Sequence, residues 1–121
     1  MKLAISSQGS GLDASVDPRF GRATYFVVFD TDSGKHENLD NSVNVNAARG
    51  AGIQAATTVI DSGAAAVITG HVGPKAAATL KAGNIRVFIG ASGTVADALE
   101  QYRDGALQET DAADVEGHWT S

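Results

Sequence analysis

The sequence contains no cysteine in its 121 residues. Disulfide frameworks, thiolate zinc sites, cysteine-ligated iron–sulfur clusters and cysteine nucleophiles are therefore excluded, and any metal must be held without thiolates. Proline is nearly as scarce, with Pro18 in a long glycine-rich stretch and Pro74 where a helix would begin. Aromatics make up 6% of the chain and interleave with no basic stripe, which argues against nucleic acid as a partner. No apolar run approaches the roughly 20 residues needed to cross a bilayer, so no membrane role is expected. The opening MKLAISSQGSG has one lysine and lacks the apolar centre of a signal peptide, so a cytoplasmic protein is the expectation.

Charge of one sign is missing from one end only. The net charge is -5, yet residues 1–103 carry nine acids against nine bases. Asp104, Glu109, Asp111, Asp114 and Glu116 lie in a stretch without Lys or Arg. We read residues 1–107 as one α/β domain and 108–121 as an acidic tail with too little aliphatic content for a core.

Apolar patterning predicts strands over residues 3–6 (LAIS), 24–30 (TYFVVFD), 65–69 (AAVIT) and 85–89 (IRVFI). The Asp32-Ser33-Gly34 turn leads into a polar strand, KHENL, so that residues 24–39 read as an antiparallel hairpin at a sheet edge. Helical spacing over 47–62 places Ile53, Ala56, Val59 and Ile60 on one face, with Gly63 as the stop. Pro74 opens a second helix that Gly83 ends. A third carries Val95, Ala98, Leu99 and Tyr102 on one face, with Thr94 and Asp97 spaced as a capping box. The order β-β-β-α-β-α-β-α implies a mixed five-stranded sheet with three helices, its parallel part built by right-handed crossovers.

Ligands of open α/β sheets bind beyond the carboxyl ends of the parallel strands. Three glycine-rich loops should meet there: residues 7–22, the turn Gly70-His71-Val72-Gly73, and the turn Gly90-Ala91-Ser92-Gly93. Glycine allows close backbone approach and helix starts offer N–H groups, so the edge favours an anion, although tight turns also use glycine for steric reasons alone. Within DPRFGR, Arg19 and Arg22 flank Phe20 and Gly21. Their guanidinium groups suit a partly dry anion pocket, or they pair with Asp13 and Asp17 in a solvated loop. His71 could ligate a metal or donate to an anion, or simply be an exposed turn residue. His36 reads as a solvated edge residue. His118 and Trp119 read as a second ligand and an apolar cover, or as a loose end.

Catalytic patterns are absent. Neither LAIS nor AAVIT carries the acid that two-metal phosphoryl chemistry needs, and there is no phosphate-binding Gly-x-x-x-x-Gly-Lys-Ser/Thr loop. No serine sits in a nucleophile elbow with a credible His and Asp, so a non-enzyme is expected.

Taken together, MKLAISS, DPRFGRATYFVVFDTDSG, GAGIQAA, VITGHVGPKA and GTVADAL, in one collinear order, resemble the dinitrogenase iron-molybdenum cofactor biosynthesis family over about residues 1–107. The resemblance implies a ribonuclease-H-like sheet and a role in binding, carrying or helping assemble a metal–sulfur cluster. In nitrogenase-associated members the segment matching RFG reads His-Phe-Gly, with the histidine implicated in cofactor binding. Here that position is Arg19, which fits charge pairing with a cluster that brings its own sulfides. The lack of cysteine makes the orange-protein branch, with its molybdenum–copper sulfide cluster, the nearest reading. With the glycine edge described above, this gives Arg19, Phe20, Gly21, Arg22, Gly70, His71, Gly73, Gly90 and Gly93 as the candidate site, holding that cluster or a related molybdenum- or iron-containing one. The alternative is a regulatory module docking on a nucleotide-dependent ATPase, since family members often occur beside such partners.

Overall fold

Continuous burial from Leu3 to Ser7 along the first strand covers side chains on both of its faces, the mark of a strand enclosed from two sides. The computed structural model describes residues 1–42 and 50–110 and places this strand, β1 (Lys2–Ser7), inside a six-stranded sheet. The others are β2 (Tyr25–Asp30), β3 (His36–Asp40), β4 (Ala66–Ile68), β5 (Arg86–Ile89) and β6 (Gln108–Thr110). Their spatial order is β3-β2-β1-β4-β5-β6. β1, β4 and β5 run parallel, the β2–β3 hairpin joins β1 antiparallel, and β6 returns antiparallel to β5.

The helices are α1 (Ala51–Asp61), α2 (Pro74–Ala82) and α3 (Val95–Arg103). Ala4, Phe26, Val28, Val67 and Val87 share one core with Ala55, Ala56 and Val59 of α1 and Ala76, Ala77 and Leu80 of α2. Leu3, Ile5, Val27 and Ile68, one residue out of phase, share the other with Val95 and Ala98 of α3. The period of two along each strand thus divides the apolar residues between two layers of helix. Among the described residues no helix is long and apolar enough to cross a membrane.

Two expectations need correction. The sheet has six strands, not five, because residues 108–110, assigned from sequence to the acidic tail, form β6. Gln-Glu-Thr has no strand signature of its own. Its place comes from pairing with β5 and from Glu109, whose two oxygens each accept a 2.8 Å hydrogen bond from the Arg86 guanidinium. That guanidinium holds the Glu109 carboxyl below its ordinary pKa and is itself raised by the pairing. The second correction concerns α1, where Ile53 is 41% exposed and the buried face is Ala51, Gly52, Ala55, Ala56 and Val59. A Cβ on Gly52 would stand 3.3 Å from the Ala76 Cβ, so the close α1–α2 approach selects small residues and turns the larger Ile53 outward. Residues 47–49, expected at the start of this helix, lie outside the described residues, as do 111–121.

The second glycine-stopped helix, α2, ends at Gly83 as expected, although Gly83 has an ordinary negative φ and the left-handed residue is Asn84 at φ 61°. Asn84 N–H donates to the Lys81 carbonyl and Ile85 N–H to that of Leu80, the two bonds of a Schellman stop. Gly83 is small for another reason: a Cβ there would lie 2.7 Å from the Ile60 side chain.

The capping box forms as expected, with Asp97 N–H donating to the Thr94 hydroxyl at 3.1 Å and Thr94 N–H to the Asp97 carboxylate at 3.0 Å. Thr94→Ala should destabilise the fold by about 1 kcal/mol in urea denaturation. Glu109→Gln tests the β6 clasp. Because the folded pKa of Glu109 is lowered, its contribution is complete above the ordinary carboxylate range and is lost as pH falls through the lowered value. The stability gap between wild type and variant should therefore vanish in acid, and high salt should shrink it, since both groups are exposed.

Candidate functional site

Residues 8–24 form a long connection that has little secondary structure but is far from loose. The bridges Ser7 to Val16 and Ser15 to Thr94 pin its first half to the ends of β1 and α3. Val16 N–H donates to the Gly93 carbonyl, Val95 N–H to that of Ala14, and Ala96 N–H to that of Leu12. Beneath it sits a buried polar knot: the Ser6 hydroxyl donates to the Asp17 carbonyl at 2.7 Å and shares a 2.7 Å hydrogen bond with the Thr69 hydroxyl. All three residues are buried, and each hydroxyl is satisfied at the carboxyl end of its strand, which removes most of the cost of burying it.

The second half of the loop docks on the turn after β4. His71 N–H donates to the Pro18 carbonyl at 2.7 Å, Phe20 N–H donates to the His71 carbonyl at 3.2 Å, and Arg19 and His71 form a parallel bridge. Gly70 is required here by contact, because a Cβ would lie 2.7 Å from both the Cα and the carbonyl oxygen of Pro18. Phe20 then begins a 3-10 turn (Phe20–Arg22) and is wholly buried, its ring centroid 5.1 Å from that of Phe26. Phe20 is the anchor that fixes Arg19 and Arg22 at the rim. Arg19 is exposed, while Arg22 and His71 are half-buried.

The structure therefore brings Arg19 and His71 together, and Gly70 beside Gly90, whose N–H donates to the Gly70 carbonyl at 3.1 Å. It turns Phe20 and Gly21 into the core and leaves Gly90 and Gly93 exposed. Asp17, offered by the sequence as an ion-pair partner for the arginines, is 6% exposed and accepts the Arg19 backbone N–H at 2.9 Å.

The two Gly-x-x-Gly turns differ in what they offer a ligand. After β5, Ala91 N–H bonds the Thr69 carbonyl, Ser92 N–H bonds Gln101 Oε1, and Thr94 N–H is taken by the capping box. Gly93, at φ 84°, would place a Cβ 2.5 Å from the Asp97 carboxylate, so this turn serves the start of α3. After β4, the N-cap of α2 is Gly73, which has no side chain to cap the first turn, and Pro74 follows. The α2 start thus keeps the N–H polarity that draws anions, next to His71 and Arg19.

Among the described residues no three His, Cys, Asp or Glu side chains are grouped to hold a metal ion. The rim brings arginine side chains and main-chain amides to one edge. His36 lies exposed on β3, apart from this rim, and His118 and Trp119 fall outside the described residues. Sequence reasoning missed Ser6, Thr69 and Pro18. The two hydroxyls end their apolar runs, but nothing local signals that residues 63 apart will meet.

Replacing Gly70 with Ala drives a methyl into backbone. The expected cost is about 1–3 kcal/mol of overpacking, read by denaturation, with faster amide exchange at Phe20 and His71 as the Arg19 bridge loosens.

The fold recurs in known proteins. The apo orange protein from Desulfovibrio gigas superposes with a TM-score of 0.90 at 40% identity, over 94% of this chain and 96% of that one. A putative NifB protein from Thermotoga, of the DUF35 family, matches with a TM-score of 0.83 and 34% identity, over 96% and 98%. An uncharacterised protein of Methanocaldococcus jannaschii is 25% identical over 111 residues, 90% of this chain and 91% of its own. Residues 1–105 match the family model described as dinitrogenase iron-molybdenum cofactor, and the chain belongs to that family.

Proposed function

We propose that the protein binds and carries a preassembled metal–sulfur cluster noncovalently at the rim formed by residues 17–22 and the start of α2, without catalysing a reaction. The observation that carries this reading is the Arg19–His71 bridge beside the uncapped α2 start. A sulfide-ligated cluster is a soft polyanion whose metals need no further side chains. Its retention calls for positive charge, N–H donors and partial exclusion of water. Arg19, Arg22 and His71 supply the first two, and the glycines 70, 73, 90 and 93 shape the edge on which the cluster rests. Phe20 and Gly21 hold the arginines from below.

Family membership and the likeness to the orange protein support a metal–sulfur role. We read the cluster as molybdenum-containing, with copper as its second metal, following the resemblance to the orange-protein branch of the family. We also read the order β3-β2-β1-β4-β5 as ribonuclease-H-like, with β6 an added edge. The setting is cytoplasmic in this reading, where a thiol-free site avoids competition from metals that seek thiolates.

The test is reconstitution of apoprotein with tetrathiomolybdate and copper. A visible charge-transfer band should coelute with the protein, and the Arg19→Ala, Arg22→Ala double variant should bind at least roughly tenfold more weakly, the loss expected from charge-assisted contacts. Salt should release the chromophore progressively, as it would not if side chains ligated the metal directly. A folded wild-type protein that retains no chromophore would overturn the proposal.

A further inference from the structure

The sheet face that carries α3 is covered unevenly. Among the described residues α3 is the only helix in that apolar layer, and its nine residues span roughly 14 Å. Leu12 and Ala14 of the long connection extend the layer, and Gly11 N–H donates to Asn38 Oδ1 at 2.8 Å, so the connection closes over the middle of the β2–β3 hairpin. The start of β1 and the end of β2 lie beyond that cover. A groove of about 360 Å³ opens there, lined by Leu3, Phe29, Leu99 and Tyr102, with Glu100 and Arg103 at its side. Phe29, Leu99 and Tyr102 are only half-buried. The Tyr102 ring stands edge-on to Phe88 with centroids 4.9 Å apart, so it meets a partner with its position already set.

Glu100 and Arg103 lie three residues apart on α3 and are therefore neighbours on its surface. Among the described residues Glu100 has no ion-pair partner, and Arg103 meets only its chain neighbour Asp104, Nε to Oδ1 at 3.6 Å, with both side chains largely exposed. A small ligand of one charge would be drawn to one of these groups and repelled by the other. A surface with the same two signs in reverse order satisfies both, and α3 presents that order when turned end for end. A two-fold axis crossing α3 between Glu100 and Arg103 sets Glu100 of each copy beside Arg103 of the other, the self-complementary arrangement of an isologous contact. In this register Asp97, one turn earlier, falls opposite the uncharged Ala106, and Asp104 stays beside Arg103.

We propose that two copies of this chain associate through the α3 face, each closing the groove of the other, with Leu99 and Tyr102 at the centre and reciprocal Glu100–Arg103 pairs at the edge. The apolar centre supplies affinity, while the charges fix the register. The groove adjoins the first residues of β1 and the cluster rim follows its last, so both rims stay open and the association does not depend on what they carry.

Sedimentation equilibrium of the full-length apoprotein tests this. Wild type should pass from the mass of one chain to that of two as its concentration rises toward roughly 1 mM, the weak end of specific association. Glu100→Arg and Arg103→Glu, both exposed changes, should each weaken association at least roughly tenfold, because each sets two like-charged pairs across the axis. Mixed in equal amounts, the two variants should associate with one another about as well as wild type, since the opposed signs are restored in the mixed pair. That recovery would also show that neither variant had lost its fold. Wild type that keeps the mass of one chain throughout would overturn the inference. So would a dimer that neither variant weakens, or a mixture that does not recover.

Discussion

The contact on which the rim depends is that between Gly70 and Pro18. Backbone meets backbone there with no room for a methyl group, and the two hydrogen bonds on either side of it tie Arg19 to His71. Without this approach Arg19 and His71 would belong to separate loops, each paying its own ordering entropy before meeting a ligand. The buried knot of Ser6, Asp17 and Thr69 holds the same junction from within. A long connection is thereby converted from mobile loop to fixed wall by main-chain bonds, with Phe20 as its apolar plug.

Two turns of the same glycine spacing end in opposite electrostatic states. After β5 a Thr and an Asp close the helix start, and Gln101 also bonds Ser92 through both its amide atoms, so that turn is internally satisfied. After β4 the cap is glycine and the first helical residue is proline, so the cap has no side chain of its own to take up the amides. The negative carboxylate of Asp97 sits at one start and the imidazole of His71 precedes the other. The proposed anion site therefore lies on the β4 side.

Much of this was legible in the residues. The five expected strands, the hairpin, the proline start of α2 and the Thr94–Asp97 box follow from period, turn chemistry and capping, all local effects within a few residues. The bounds of β6, the inward face of α1 and the Asn84 stop were not legible. Each is decided by a neighbour distant in sequence: Arg86 for Glu109, Ala76 for Gly52, Ile60 for Gly83. The gathering of Arg19 and His71 at one edge could be expected from topology, since loops after parallel strands share that edge. Their direct bridge could not, because it depends on Pro18 finding a position without a Cβ 52 residues away.

By itself the sequence determined the class of chemistry. A cysteine-free chain has no thiolates to give, so any metal it holds is held without them, and that follows from composition in any conformation. Only the tertiary structure decided where positive charge gathers and which helix start stays uncapped. Those are properties of three loops meeting in space, set by close backbone packing and by hydrogen bonds between segments that share no local pattern.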